Sequence, residues 1–418
     1  MKSDRYVPAV AGLILSLSGR VVSAQTNPAD GGAPPAAADT PPAPAVPAPI
    51  ASASEGTSRT GTRATVTLAG YVEALYQWNF NRPSNGITNF RGFDNRHNTF
   101  TLSNVAIDAT WDHERLVGRL TLQVGHTPST YYLSEPNAPG TSGANASDAE
   151  LWKYLQQAYV GYRVGGARGV TLSAGIFLSP VGPETIPISE TLHWSRANLF
   201  FGLPFYHTGL RASVPVTARW TTTVAVFNGW NSVVDNNPGK SVMAQATYTV
   251  PDRAVLSLLY FGGNERPTGA PEGSPWRHML DTHLTLTPSP RWTVIVQANA
   301  GIERPRQGTA WWLATMLSAR LRVAPRLFVA ARGDVFYERV PSGAAPIFWP
   351  VAWVASGTAT IDWRPHPQAS LRLEYRHDHA ADDAYFGGQV TGDGSPTAPF
   401  VANRRAQDTL TAGMTTWF

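Results

Sequence analysis

The stretch Leu116-Val117-Gly118-Arg119-Leu120-Thr121-Leu122-Gln123-Val124-Gly125 separates into two sets when alternate residues are taken. Leu116, Gly118, Leu120, Leu122 and Val124 form one set; Val117, Arg119, Thr121, Gln123 and Gly125 form the other. Successive side chains of an extended chain point to opposite faces, so the stretch reads as a strand with an apolar and a polar side. Val242, Ala244, Ala246, Tyr248 and Val250 divide in the same way from Ser241, Met243, Gln245, Thr247 and Thr249. So do Ala369, Leu371, Leu373 and Tyr375 from Ser370, Arg372, Glu374 and Arg376, where the polar side is charged.

About 16 such segments follow one another between Thr65 and Phe418, an even number within the range of membrane-spanning β-barrels. The expected starts are Thr65, Phe100, Leu116, Leu155, Val170, His207, Trp220, Ser241, Ala254, Trp276, Trp292, Ala310, Leu327, Ala352, Ala369 and Thr409. The phase over Asn104 to Ala109 is ambiguous, and no faces are assigned there. Links after even-numbered segments are short, as in Asp112-His113-Glu114-Arg115, Gly165-Gly166-Ala167-Arg168 and Arg364-Pro365-His366-Pro367. Several links after odd-numbered segments are far longer: Asn79 to Thr99, His126 to Tyr154, Leu178 to Tyr206 and His379 to Asp408. The expected fold is all-β, a transmembrane antiparallel up-and-down barrel with short periplasmic turns and long extracellular loops. Aromatics at the segment ends suit two interfacial girdles: Trp78, Trp230, Tyr260, Trp276, Trp311 and Trp353 on the loop side, and Trp111, Trp220, Tyr248, Trp292, Trp363 and Phe418 on the turn side.

Composition agrees with this reading. The chain has 418 residues, 43% of them hydrophobic and 15% charged, and no apolar run long enough for a membrane helix. The absence of cysteine excludes disulfides, Cys-ligated metals and a Cys nucleophile. The formal charge of +4 owes much to Lys2, Arg5 and Arg20, and the remaining basic residues are scattered, so no nucleic-acid partner is expected.

Residues 1–24 combine basic Lys2 and Arg5, an apolar stretch from Val7 to Leu17 and a small-residue site at Val22-Ser23-Ala24, the order of a secretory signal peptide. Residues 25–63 are rich in Ala and Pro and lack periodicity, which suits an extended periplasmic spacer. The barrel is expected over residues 64–418.

The chain lacks the strongest local signatures of enzymes and metal sites. It has no Walker loop, no GxSxG elbow, no HExxH and no EF-hand loop. His193 and Ser195 would share a face of an extended chain, but no orienting acid accompanies them, so catalysis is not expected. His377-Asp378-His379 lacks a third ligand at a diagnostic spacing, and no metal or other cofactor is expected.

The first half of the barrel region resembles the OmpL-like β-barrel porins of Gram-negative outer membranes. The matching phrases include Arg91-Gly92-Phe93-Asp94, GRLTLQVGHTPSTYY from Gly118, WKYLQQAYVGY from Trp152, AGIFLSPVGPE from Ala174, HWSRANLFFGLPFYHTGLR from His193 and FNGWNSVVDNNPGKS from Phe227. The later half resembles the family only in its strand pattern and its final Trp417-Phe418. The resemblance implies a pore and supplies neither a substrate nor catalytic residues. Phe418, closing an alternating strand, looks like the signal read by the barrel-assembly machinery.

A barrel of this size can keep an aqueous lumen. Its inner face is expected to carry Arg119, Arg163, Arg211, Arg277, Arg320, Arg322, Arg332, Arg372 and Arg376, opposed by Glu73, Asp281, Asp334, Asp362, Glu374 and Asp378. The link from Leu178 to Tyr206 holds Leu199, Phe200, Phe201, Leu203 and Phe205, too apolar for water. It is expected to fold inward and bring Glu184, Glu190 and Arg196 to a constriction; packing outside as a subunit contact, as in a homotrimer, is the alternative. The expected function is passive diffusion of small hydrophilic solutes or ions through the outer membrane, with weak anion preference. A substrate-specific channel, a plugged structural or adhesive barrel and a hydrolase are the rivals. Partners are outer-membrane lipid, the assembly machinery and the solutes.

Overall fold

The computed structural model describes residues 64–136, 147–165 and 169–418. The expected signal peptide and Ala/Pro spacer lie outside the described residues, as does most of the turn at 165–168. Sixteen antiparallel strands close into one barrel, each paired with its neighbours in sequence and β1 with β16. They are β1 (Thr65–Asn79), β2 (Thr99–His113), β3 (Leu116–Val124), β4 (Leu155–Val164), β5 (Val170–Leu178), β6 (Tyr206–Pro215), β7 (Trp220–Phe227) and β8 (Ser241–Val250). Then follow β9 (Ala254–Asn264), β10 (Trp276–Ser289), β11 (Trp292–Glu303), β12 (Ala310–Ala324), β13 (Leu327–Arg339), β14 (Trp353–His366), β15 (Ala369–Ala380) and β16 (Ala406–Trp417). Closure satisfies the backbone groups that an open sheet edge would expose to lipid.

Twelve of the sixteen expected starts coincide with those observed, because apolar alternation begins where the chain enters the bilayer. The largest difference is at β16, which begins at Ala406 rather than Thr409. Its first residues, Ala406, Gln407 and Asp408, carry no apolar alternation to read. The ambiguous phase at Asn104 has a structural cause. Pairing of β1 with β2 shifts from Glu73↔Asn104 to Ala74↔Leu102, leaving Ser103 as an extra residue. Ser103 and Asn104 are both buried, so the alternation reverses at this bulge.

The outer face is apolar and exposed, as at Leu68, Leu210, Leu280 and Leu317. Trp276 on the loop side and Trp220, Trp292, Trp363 and Phe418 on the turn side remain exposed, as interfacial aromatics do. Trp230 does not join the girdle expected of it. It lies beyond the end of β7, where strand alternation no longer fixes direction, and packs edge-on against inward-facing Phe261 at 5.5 Å.

Residues 179–205, between β5 and β6, enter the barrel and form much of its core. Ala197, Leu199 and Leu203 pack with Phe261, Met279, Trp312, Met316 and Phe336 from the wall. Phe200 joins a second cluster with Phe93, Tyr131 and Tyr206. Inward folding hides the apolar run seen in the sequence, which is its driving force.

Candidate functional site

The inner segment turns sharply where it leaves β5. Gly182 has φ +80, and a Cβ there would lie 2.8 Å from the Gln297 amide and 2.9 Å from Leu203. Glycine is required at this close approach of segment to wall. Arg196 then braces the segment from within, donating to the carbonyls of Thr185 (2.8 Å), Trp194 (2.6 Å) and Ile186 (2.6 Å).

Wall residues tether this scaffold on several sides. Glu73 accepts from the Ile188 N–H at 2.6 Å, and Glu374 from the N–H groups of Trp194 (2.6 Å) and Ser195 (2.9 Å). Asp334 accepts from the Asn198 N–H at 2.8 Å. Arg332 donates to Glu184 and to the Ser195 carbonyl, both at 2.7 Å. Arg372 donates to the His193 carbonyl and the Thr191 carbonyl, both at 2.9 Å, and Arg376 to the Asn198 side chain at 2.9 Å. Charge-assisted bonds of this kind are the stronger ones, and here they fix a loop to a rigid wall.

Two levels of the inner face follow. Toward the loops, inward side chains are buried in every part of the wall, from Gln77 and Gln123 through Phe227, Phe261 and Asn299 to Arg376 and Gln407. Toward the turns the inner wall meets water, and its charges sit there. Arg119 pairs with Asp108 at 2.8 Å and Arg163 with Asp112 at 2.6 Å. Arg364 pairs with Asp362 at 2.9 Å. Arg211 instead lies over the rings of Phe177 (4.2 Å) and Tyr159 (5.3 Å). Arg320 lies over Phe328 at 5.1 Å, and Arg322 is exposed. The inner segment contributes exposed Glu190.

The residues expected to line a pore therefore divide. Arg119, Arg163, Arg211, Arg320, Arg322 and Glu190 reach the water of the turn-side vestibule. Arg332, Arg372 and Arg376 face inward as expected but are buried beneath the segment, and Arg196 is buried within it. These four are corrected from water-lining to tethering, because the segment that was expected to narrow the lumen also covers the wall it packs on. Glu184 is spent on Arg332 and on the Ala197 N–H at 2.8 Å. Arg277 is likewise buried, paired with Glu303 at 2.8 Å.

Three groups of functional interest escaped the sequence reading. Asp108 lies just beyond the bulge in β2, where the sequence shows no clear phase, and Asp112 falls in what reads as a turn although β2 runs on to His113. Arg364 stands in what the sequence presents as a turn, yet β14 runs on to His366 and keeps Arg364 on the inner face with Asp362. Arg91 sits in a loop, where alternation has no meaning; it is buried and pairs with Asp94 and, at 3.5 Å, Asp378.

The other constellations noted in the sequence disperse. His193 bonds to Thr360 (2.8 Å) and Ser318 (2.9 Å), whereas Ser195 receives Arg332 at 3.1 Å. His377 and His379 are exposed outside the barrel and Asp378 is buried inside it, so alternation separates the three. Among the described residues no group of three or more metal-ligating side chains converges.

Solved structures share the architecture at low sequence identity. The anion-selective porin from Comamonas acidovorans aligns with a TM-score of 0.56 at 14% identity, over 85% of this chain and 100% of its own. The outer-membrane channel DcaP of Acinetobacter baumannii gives 0.53 at 12% identity, over 86% and 99%. OmpT, an outer-membrane protein of Vibrio cholerae, gives 0.53 at 10% identity, over 85% and 98%. At such identities the likeness establishes the fold alone. No curated protein matches the sequence. The family profile described as "Putative beta-barrel porin-2, OmpL-like" matches residues 65–418, the whole of the closed barrel, and the chain belongs to that family as a porin of the bacterial outer membrane.

Proposed function

We propose that this porin passes small hydrophilic solutes with a preference for anions, and that the segment 179–205 sets its narrowest level. The observation that carries the reading is the charge left on the water-exposed inner wall. Arg119, Arg163 and Arg364 are each matched by an aspartate, which leaves Arg211, Arg320 and Arg322 against Glu190 of the segment. Fixed positive charge in a confined, water-filled vestibule with low-dielectric walls raises the local concentration of anions. The packed loop-side half makes the passage narrow, so the expected unit conductance is small.

Reversal potential under a salt gradient in planar bilayers tests this. Anion preference is expected and should decline in Arg211→Gln. A cation-selective wild type would overturn the preference, and a silent bilayer containing folded protein would overturn conduction and favour a plugged barrel.

A copy-to-copy contact through the outer wall is a separate matter. The trimer form of Vibrio cholerae OmpT shares the fold, with a TM-score of 0.51 at 10% identity. A homotrimer of this chain is proposed on the same architecture, and cross-linking in native membranes tests it.

A further inference from the structure

The arginines on the turn-side wall are not evenly placed. β12, β13 and β14 bring Arg320, Arg322, Phe328 and Arg364 together on the inner face: Arg322 stands opposite Phe328 in the β12–β13 register, and Phe328 opposite Asp362 in the β13–β14 register. The guanidinium groups of Arg320 and Arg364 lie 5.1 Å and 5.0 Å from the centre of the same Phe328 ring. One carboxylate serves the cluster, Asp362. It accepts from Ser370 at 2.6 Å, pairs with Arg364 at 2.9 Å and lies 3.7 Å from Arg372. Arg320 has a single long hydrogen bond to Thr293, 3.4 Å, and feels Asp362 only through space; among the described residues neither Arg320 nor Arg322 is in contact with a carboxylate.

A wall that only needed stiffness would match these charges, as the opposite side does with Arg119–Asp108 and Arg163–Asp112. Here positive charge accumulates around an aromatic face that is partly shielded from water, and like charges held together cost free energy unless something neutralises them. Guanidinium groups match the oxygens of carboxylate and phosphate, and stacking on a ring pre-orients them for that contact. We infer that Arg320, Arg322 and Arg364 around Phe328 form a binding site for a small dianion, a dicarboxylate or a phosphate, at the periplasmic mouth of the channel. The site rests on the anion-preferring reading of the vestibule and places its strongest point on one wall. Two guanidinium groups with no carboxylate in contact among the described residues make a double negative charge the better match, and a monoanion the poorer one.

Calorimetric titration of the purified full-length protein in detergent, at low ionic strength, tests the site with succinate, hydrogen phosphate and acetate. Saturable binding of a dianion is expected, with acetate at least tenfold weaker. The double variant Arg320→Gln, Arg322→Gln should weaken dianion binding at least tenfold, whereas Arg339→Gln, exposed at the far end of β13, should leave it unchanged. Arg322→Gln alone alters an exposed side chain; should the double variant fail to fold, this single one must still weaken binding about threefold. Binding of succinate but not phosphate, or the reverse, supports the site and selects the chemistry. No saturable heat from either dianion, acetate binding as tight as theirs, or full affinity in the variants would overturn it. The titration is independent of reversal potential, so loss of the site with anion preference intact rejects the site alone.

Discussion

Arg332 of β13 and Glu184 of the inner segment face each other at 2.7 Å, with the arginine side chain wholly buried. In an open lumen this pair would set a field across the passing solute. Buried, it does different work: it joins a mobile kind of element, a loop, to the stiffest part of the molecule. The same arginine also bonds to the Ser195 carbonyl and to Thr358, so its removal strands several groups at once.

Arg332→Gln should therefore release the segment. Removing one partner of a buried ion pair costs roughly 3–5 kcal/mol, most of it from the charge left behind. We expect a lower temperature for conversion of the folded to the unfolded electrophoretic form, and a unit conductance at least doubled by the freed lumen. Wild-type values of both would show that the tether is unimportant.

The two glutamates of the segment should behave differently. Glu184 is committed to Arg332 and to the Ala197 N–H, whereas Glu190 is exposed to the vestibule. Glu190→Gln should shift reversal potential toward greater anion preference with little change in stability. Glu184→Gln should chiefly lower stability. Equal shifts in reversal potential from the two variants would contradict this division.

The barrel was legible because a bilayer imposes a strict demand: one face apolar at every second residue for the length of each crossing. Trp220 to Phe227 shows that demand as plainly as any segment, and its start was placed correctly. Inside the barrel no such rule operates. Whether Arg372 meets water or the His193 carbonyl depends on a loop nearly two hundred positions away in sequence, and the strand itself holds no record of that. The inward course of 179–205 was readable from its apolar content, but its tethers were not. Asp108 shows the cost of a single extra residue, since the bulge at Ser103 removed the phase that would have placed it on the inner face.

Acid should loosen one loop in a defined range. His126 opens the short helix α1 (His126–Tyr131), is buried, and is hydrogen bonded to Asn95 at 2.5 Å. Burial pushes its imidazole from 6.5 down to about 4, with nearby Arg96 adding to the effect. A folded value below the unfolded one means that the unfolded loop takes up the proton first. Stability is thus fully present above pH 6.5, declines as pH falls toward about 4 and changes no further below that. The loss amounts to roughly 3 kcal/mol at most, by the usual conversion of such a shift. Protection factors for amide exchange across residues 126–131, corrected for the intrinsic pH dependence of exchange, should fall between pH 6.5 and 4 in the wild type and be flat over that range in His126→Gln. A flat wild-type profile would remove His126 from the loop's acid response.

The barrel seam gives the last prediction. Phe418 and Gly70 exchange backbone hydrogen bonds, Phe418 N–H to Gly70 O at 3.0 Å and Gly70 N–H to Phe418 O at 3.2 Å, where the final residue completes the pairing of β16 with β1. The Phe418 ring lies across Gly70, and a Cβ at that position would come within 2.7 Å of it. Glycine is needed here for space, and its conformational freedom is incidental. Deleting Phe418 removes two hydrogen bonds, each worth about 0.5–1.5 kcal/mol, along with an aromatic anchor at the turn-side interface. Gly70→Val keeps the terminal residue and its chemistry but displaces the ring and crowds the Ala106 carbonyl of β2, which a Cβ would approach to 2.8 Å, so that it disturbs the seam strand itself. If the aromatic terminus acts only as a signal to the assembly machinery, deletion should lower folded yield in cells while Gly70→Val does not. If closure itself matters, both should lower the folded fraction, and both should also slow refolding of purified protein into detergent, where no machinery is present. We expect the second pattern, with deletion the more severe. Unchanged folded yield and refolding rate in both variants would show that the Phe418–Gly70 contact has no part in assembly.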